Sequence, residues 1–354
     1  GLFAALCVVS ISWADLTGVA VTELRQIVIE PMVLYVVMRT FSLTRREQWR
    51  IVDLFVLTGV VVALIGLAQY VTGTNLITAE AGIPRLRSVY NSPNGAALFL
   101  GRTIPVAAAV ALIGGEKLRR WLYGAAALVM VGAMGLTLSK GGLLLALPAA
   151  VGMVVILWLG RKGLILVGVG AALEGLALIP LSRIPRFKGL FDFTSGTSTS
   201  FFRLQLWKSA GQMIREHPLT GVGLDQFLYA YRGRYIQPEA WQEPNLSTPH
   251  NFILSFWTRL GIIGVAAVVW MQIAFWRMAW RTQKRLKGGN ESLRALVIGL
   301  MGSMAAFIAH GLVDEPYFLI DMAFVFFMTL GLMHQIGEEV KNGSIDQQPD
   351  AAPS

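Results

Sequence analysis

The chain has 354 residues, of which 55% are hydrophobic and only 14% carry charge. A soluble protein of this length needs far more charge to cover its surface, so the bilayer is the natural solvent. The net charge of +9 would suggest nucleic acid in a soluble protein, but here much of it falls in short links between apolar runs, where membrane orientation accounts for it.

A span needs roughly 20 apolar residues. About ten runs approach that length, near residues 1–13, 26–41, 51–71, 95–114, 121–138, 142–160, 163–181, 251–276, 293–313 and 318–336. The expected fold is therefore all-α: a polytopic bundle over residues 1–336 with a disordered cytoplasmic tail at 337–354. The first run starts at Gly1 with no basic leader, which reads as a chain lacking one or more upstream spans rather than as a signal peptide. Cys7 stands alone in that run, so neither an intrachain disulfide nor a thiolate metal site is supported.

Charge orients the bundle. Arg45, Arg46 and Arg50 fall in one link; Lys117, Arg119 and Arg120 in a second; Arg161 and Lys162 in a third; and Arg277, Arg281, Lys284, Arg285 and Lys287 in a fourth. Counting spans puts all four on one side, which the positive-inside rule makes cytoplasmic. The opposite side holds two substantial loops, 72–94 and 182–249. The longer one keeps eight cations there: Arg183, Arg186, Lys188, Arg203, Lys208, Arg215, Arg232 and Arg234. An anionic ligand would give them a reason. Within this loop residues 201–216 read as an amphipathic helix capped from 197–200 and ended by His217-Pro218. Tyr229, Tyr231, Tyr235 and Trp241 follow.

The candidate chemistry gathers at that side. In Thr248-Pro249-His250-Asn251 the threonine is a good N-cap and proline suits the first helical position. His250 would then sit in the first turn, where the helix dipole disfavours imidazolium and leaves a neutral nitrogen as a base. Arg203 can grip diphosphate oxygens bidentately. Lys140 in Thr137-Leu-Ser-Lys-Gly-Gly142 falls between two spans, where snorkelling and phosphate binding are equally good readings. Arg85 and Arg87 precede Ser92-Pro-Asn94, in which Asn94 reads as a helix cap. Arg25 and Glu30 suggest a partly buried pair, and His310 is expected to face the bundle interior or a cavity. Asp314 and Glu315 read more readily as solvated loop carboxylates than as a metal or salt-bridge pair. No metal-ligand spacing, glycine-rich phosphate loop or nucleophile turn is visible.

Four stretches, in order, resemble the O-antigen ligase/polymerase superfamily of bacterial envelope proteins. Arg87-Ser-Val-Tyr-Asn-Ser-Pro-Asn94 looks like its Pro-Asn motif, and Thr137-Leu-Ser-Lys-Gly-Gly142 like its Thr-x-Ser-Arg-Gly motif. Arg203 through Trp207, with His217-Pro-Leu-Thr-Gly-Val-Gly-Leu-Asp-Gln-Phe227, matches its Arg…Trp…Pro-x-x-Gly-x-Gly-x-x-x-Phe signature. Pro249-His-Asn251, followed by Leu260-Gly-Ile-Ile-Gly264, matches its His-Asn…Gly-x-x-Gly signature. The last two are the specific ones.

The resemblance implies a membrane-embedded glycosyltransferase bundle of the GT-C type in the bacterial inner membrane, working without a metal or other cofactor at the outer face. It implies an undecaprenyl-diphosphate-linked glycan as donor and lipid A–core, a growing polysaccharide or another saccharide hydroxyl as acceptor, with membrane lipids and no nucleic acid as further partners. Mapped onto matching positions, His250 becomes the base or acceptor-orienting group, and Arg203 and Lys140 meet the diphosphate. Arg87, Asn94, Asn251, Arg215 and Arg25 are supporting substrate contacts. Two departures are Lys140, where the family usually has arginine, and Arg259, at a position often acidic. Ligase and polymerase remain equally open, and a transporter related to bicarbonate carriers is the competing reading. A transporter needs polar groups at mid-bilayer depth, whereas these candidates sit at one rim.

Overall fold

The computed structural model describes residues 1–78, 82–188, 190, 192–194, 196 and 198–343, with the side chains of Pro185 and Arg186 excepted. The expected tail beyond 343, the cap candidate Thr197 and the side chain of the loop cation Arg186 thus lie outside the described residues.

The chain is helical almost throughout. The helices are α1 (Leu2–Ser10), α2 (Thr17–Glu23), α3 (Glu30–Thr40), α4 (Arg45–Thr72), α5 (Pro93–Ile113), α6 (Lys117–Thr137), α7 (Leu147–Leu159), α8 (Arg161–Leu181), α9 (Pro185–Lys188), α10 (Thr199–Glu216), α11 (Phe227–Ala230), α12 (Phe252–Leu286), α13 (Glu291–Gly311) and α14 (Ile320–Lys341). A two-residue antiparallel pair, β1 (Ile77–Thr78) with β2 (Pro84–Arg85), sits in the loop after α4. π-helical turns interrupt the helices at Leu24–Ile29, Gly142–Ala146 and Tyr231–Tyr235.

Among the described residues eight helices are long and apolar enough to cross a membrane, against the about ten runs expected from sequence. Residues 2–13 form a shorter apolar helix. The run expected at 26–41 belongs to a longer helical stretch, 17–40, wound through a π turn. Glu23 and Arg25 lie inside that stretch, ahead of the apolar run, and hydropathy alone could not carry the helix back past them. The last helix runs on to Lys341, past the expected boundary at 336.

Local signals set the ends. Thr44 and Glu47 form a capping box at α4, and Gly73 ends that helix in a left-handed conformation. Ser92, Ser198, Asn251 and Asn290 cap α5, α10, α12 and α13 with side-chain oxygens.

Two helices form the centre: α5 and α13 are each 83% buried across their apolar windows, whereas α8 is 0% buried and packs on the rim beside α7. Between lipid-soluble helices, close approach and polar contacts replace the hydrophobic drive. A methyl group on Gly299 or Gly302 would come within 2.8 Å of Val106 or Pro105, so both glycines let α13 press on α5. Arg102, 1% exposed, donates to Ser303 at 2.8 Å and Thr329 at 3.2 Å, tying α5 to α13 and α14.

The ends of the bundle are distinct. At one, Arg45 pairs with Glu339 at 2.6 Å, Arg119 with Asp53 at 3.2 Å, and Arg294 donates to the carbonyl of Leu157 at 3.0 Å. The four basic links therefore share an end. At the other, the described parts of the 72–94 loop, the turn between α6 and α7, the 182–251 segment and the 312–319 link come together. The long segment has its own small core of Leu206, Ala210, Met213, Phe227, Tyr231 and Tyr235.

Candidate functional site

The glycines of the two specific motifs fit one another. Inside α12 the helix breaks at Gly261 (φ +66°, ψ −167°), where a Cβ would lie 1.9 Å from the carbonyl oxygen of Leu219. A Cβ on Gly221 (φ +66°) would lie 2.4 Å from the carbonyl oxygen of Thr258. The Val222 amide donates to Thr258 at 2.7 Å and the Ile262 amide to Pro218 at 3.0 Å. The His-Pro-Leu-Thr-Gly-Val-Gly turn thus plugs the break in α12. Trp257 adds a hydrogen bond to the Pro218 carbonyl at 3.0 Å, and Trp207 one to Pro249 at 2.9 Å. Together these contacts fix α10 against the start of α12.

That start differs from the expected one. Thr248 is not the cap and His250 is not in the first turn: Asn251 caps the helix, its oxygen accepting from the Leu254 amide at 3.1 Å. Asparagine holds the cap position because its short side chain reaches the free amide, leaving His250 one residue outside the helix in a left-handed conformation (φ +49°). A non-glycine residue held there is strained, and such strain concentrates at functional positions. His250 therefore does not sit in the first turn of the helix, where the dipole would act on it.

A carboxylate takes its place. His250 Nδ1 lies 3.1 Å from Asp314 Oδ1, with side-chain exposures of 30% and 8%. The ring can be reached while its partner is sealed in. Asp314 was expected in solvent; instead it is buried, and so is Glu315, at 5% each. Burial alone would raise the Asp314 carboxyl. The hydrogen bond with His250 and favourable electrostatic interactions with His250, His310 and the Arg203 guanidinium overcome it and hold the group well below the ordinary carboxylate range. An ionised carboxylate only accepts, so Nδ1 carries the proton and Nε2 keeps the lone pair. Glu315 goes the other way: burial raises it, and Arg259, Ser255 and His250 only partly offset that.

Two of the candidate cations lie beside this pair. Arg203, partly buried on α10, is close enough for its charge to act on both Asp314 and His310. Thr199, one turn before it, accepts from Lys140 Nζ at 3.3 Å. Lys140 is 6% exposed and follows Leu138, whose left-handed backbone (φ +48°) turns the chain from α6 toward α7. Its neighbour Gly141 leaves room for His310, whose ring would meet a Cβ there at 2.8 Å. His310 is 2% exposed, as an interior histidine should be. His250, Asp314, Arg203, Lys140 and His310 thus form one neighbourhood drawn from four stretches of chain.

The remaining candidates divide. Asn94 is not a cap, because Ser92 accepts from the Gly95 amide at 3.1 Å. Asn94 accepts instead from Arg85 at 3.2 Å, and Arg85 Nε donates to the Thr137 carbonyl at 2.8 Å. Arg85 thus joins the Pro-Asn and Thr-Leu-Ser-Lys stretches. Arg87 bonds Asn75 within its own loop. Asn251 has both ends of its amide engaged, on Leu254 and on the Leu312 carbonyl at 3.0 Å. Arg215 is exposed, twelve residues and about 18 Å along α10 from Arg203. Arg25 does pair with Glu30 at 3.4 Å, but in the open, at 64% and 44% exposure.

The buried pair of this region went unread. Arg259, 2% exposed, bonds both oxygens of Glu23 at 3.0 and 3.2 Å. The unusual arginine in α12 is thus balanced by an acid on α2. Glu23 precedes the apolar run at 26–41 by three residues, so hydropathy does not reach it. Among the described residues no group of three or more His, Cys, Asp or Glu side chains could hold a metal ion.

Residues 125–269 match the family model for O-antigen ligase. The match takes in the Lys140 turn, α10 and its loop, His250 and the break at Gly261. No curated protein matches the chain.

Proposed function

We propose, from an O-antigen ligase domain at residues 125–269 in a multi-pass membrane bundle, that the chain transfers a glycan from undecaprenyl diphosphate to a saccharide hydroxyl at the extracytoplasmic face. The observation that carries this reading is the meeting of His250 and Asp314 beside Arg203 and Lys140.

His250 Nε2 takes the proton of the acceptor hydroxyl as its oxygen attacks the anomeric carbon. Asp314 holds the ring by Nδ1 and stabilises the imidazolium that forms, as the carboxylate does in a Ser-His-Asp triad. The bond from the anomeric carbon to the diphosphate oxygen breaks, and its electron pair leaves with undecaprenyl diphosphate. Arg203 and Lys140 meet the charge that gathers there, so electrostatic stabilisation replaces proton donation to the leaving group. The outward placement rests on the basic links clustering at the opposite end of the bundle.

The test is reconstitution in liposomes with an undecaprenyl-diphosphate-linked glycan and candidate acceptors, including lipid A–core. His250→Ala and Arg203→Ala are each expected to cut transfer by roughly a hundredfold or more. Unchanged transfer in both variants overturns the assignment.

A further inference from the structure

Asn251, Ser255 and Arg259 stand four residues apart at the start of α12, hence on one face of the helix. Each of them grips the link between α13 and α14. Asn251 donates to the Leu312 carbonyl at 3.0 Å. Ser255 donates its hydroxyl to the Glu315 carboxylate. Arg259 reaches the same carboxylate at 3.8 Å and lies 3.9 Å over the ring of Phe318. The link is thus held on both sides of Asp314.

Asp314 itself has few supports. Its Oδ1 accepts from the Glu315 amide at 3.0 Å and faces His250 at 3.1 Å. Its Oδ2 is buried without a hydrogen-bond partner among the described residues. Whatever orients the backbone at 315 therefore orients the carboxylate that faces the histidine. A buried ion pair adds little net stability compared with well-packed apolar side chains, so stability is a poor reason for this one. Fixed geometry is a better one.

We infer that the Asn251–Ser255–Arg259 stripe, anchored on Glu23 of α2, is a positioning device that sets Asp314 against His250. The inference rests on the reading proposed above. It also extends the working machinery to a helix outside the matched segment, because Glu23 bonds the Arg259 guanidinium through two oxygens. None of these four residues touches reacting atoms; they act through Asp314.

A double-mutant cycle in the reconstituted full chain tests this. Ser255→Ala and Arg259→Lys are each expected to lower kcat by about tenfold while donor KM stays within about twofold, and Ser255→Thr is expected to keep most of the rate. In an Asp314→Asn background Ser255→Ala is expected to lower kcat by less than about twofold, because the group it positions is already gone. Losses that multiply in the double variant, or a raised KM at unchanged kcat, overturn the inference. Ser255→Ala carries the test if Arg259→Lys does not fold. The two readings fail separately: transfer unchanged in both His250→Ala and Arg203→Ala removes the function reading, whereas loss in those variants with multiplying Ser255 and Asp314 effects removes the positioning device alone.

Discussion

His250 and Asp314 lie 64 residues apart in sequence, yet Nδ1 of one faces Oδ1 of the other at 3.1 Å. The histidine stands just before α12 and the aspartate just after α13, so packing of these two helices closes the pair. The Asp314→Asn substitution keeps shape but removes the charge that fixes the tautomer. Transfer per folded protein is expected to fall by about 10²–10⁴, the range seen when a triad carboxylate is neutralised or a base is lost. Initial rates in liposomes decide it, and a loss under about threefold would contradict the dyad.

Lys140 and Arg203 predict an asymmetry. At residue 140 the charge sits on a compact ammonium held by Thr199, so Lys140→Arg is expected to retain or raise transfer, whereas Lys140→Gln should cost about tenfold or more. At residue 203 the planar fork matters, and Arg203→Lys should cost about tenfold through lost bidentate contact. Equal rates for all three variants would show that neither cation meets the diphosphate.

The break in α12 is open to a steric test. Gly261 has φ +66° and ψ −167°, a region of order 1–3 kcal/mol costly for other residues. A Cβ there would also strike the Leu219 carbonyl at 1.9 Å. Gly261→Ala is expected to lower the yield of monodisperse protein in detergent severalfold. Gly168→Ala on α8, where nothing lies within 4 Å of the added methyl, should leave the elution profile unchanged. Similar profiles for both would mean that the plug at 217–223 yields easily.

Adjacent carboxylates predict opposite pH dependences. Asp314 is depressed below its unfolded value, so its contribution to stability is present above the ordinary aspartate range, near pH ~4, and is lost as pH falls through the depressed folded value. Glu315 is raised, so its contribution is present below the ordinary glutamate range and is lost as pH rises through the raised folded value. Glu315→Gln is accordingly expected to melt at or above wild type near neutral pH, with the gap closing as pH falls toward the ordinary glutamate range. Asp314→Asn should melt below wild type near neutral pH. Thermal scans in detergent across this range report both signs, and a reversed order would refute the burial argument.

Much of the fold was legible because a bilayer makes a harsh filter. Every long apolar run from residue 51 onward became a helix, the widest miss being α12, which continues through its basic end to Leu286. The run at 26–41 was drawn too short, since Glu23 and Arg25 break a hydropathy window even where one of them, Glu23, is neutralised by a partner 236 residues away. The helix 201–216 was likewise readable from its polar and apolar faces, and its cap fell within the expected four residues at Ser198.

The sequence determined the membrane bundle, the end that gathers the basic links, and the identity of the two residues, His250 and Arg203, on which the proposed chemistry turns. These are properties of composition, periodicity and short motifs, which act over one or two turns of chain. Only the tertiary structure decided that Asp314 is a buried partner rather than a solvated loop acid, that Arg85 rather than Arg87 reaches Asn94, and that Arg259 is balanced by Glu23. A charge's state depends on what lies within a few ångströms of it, and in this bundle those neighbours come from helices far apart in the chain.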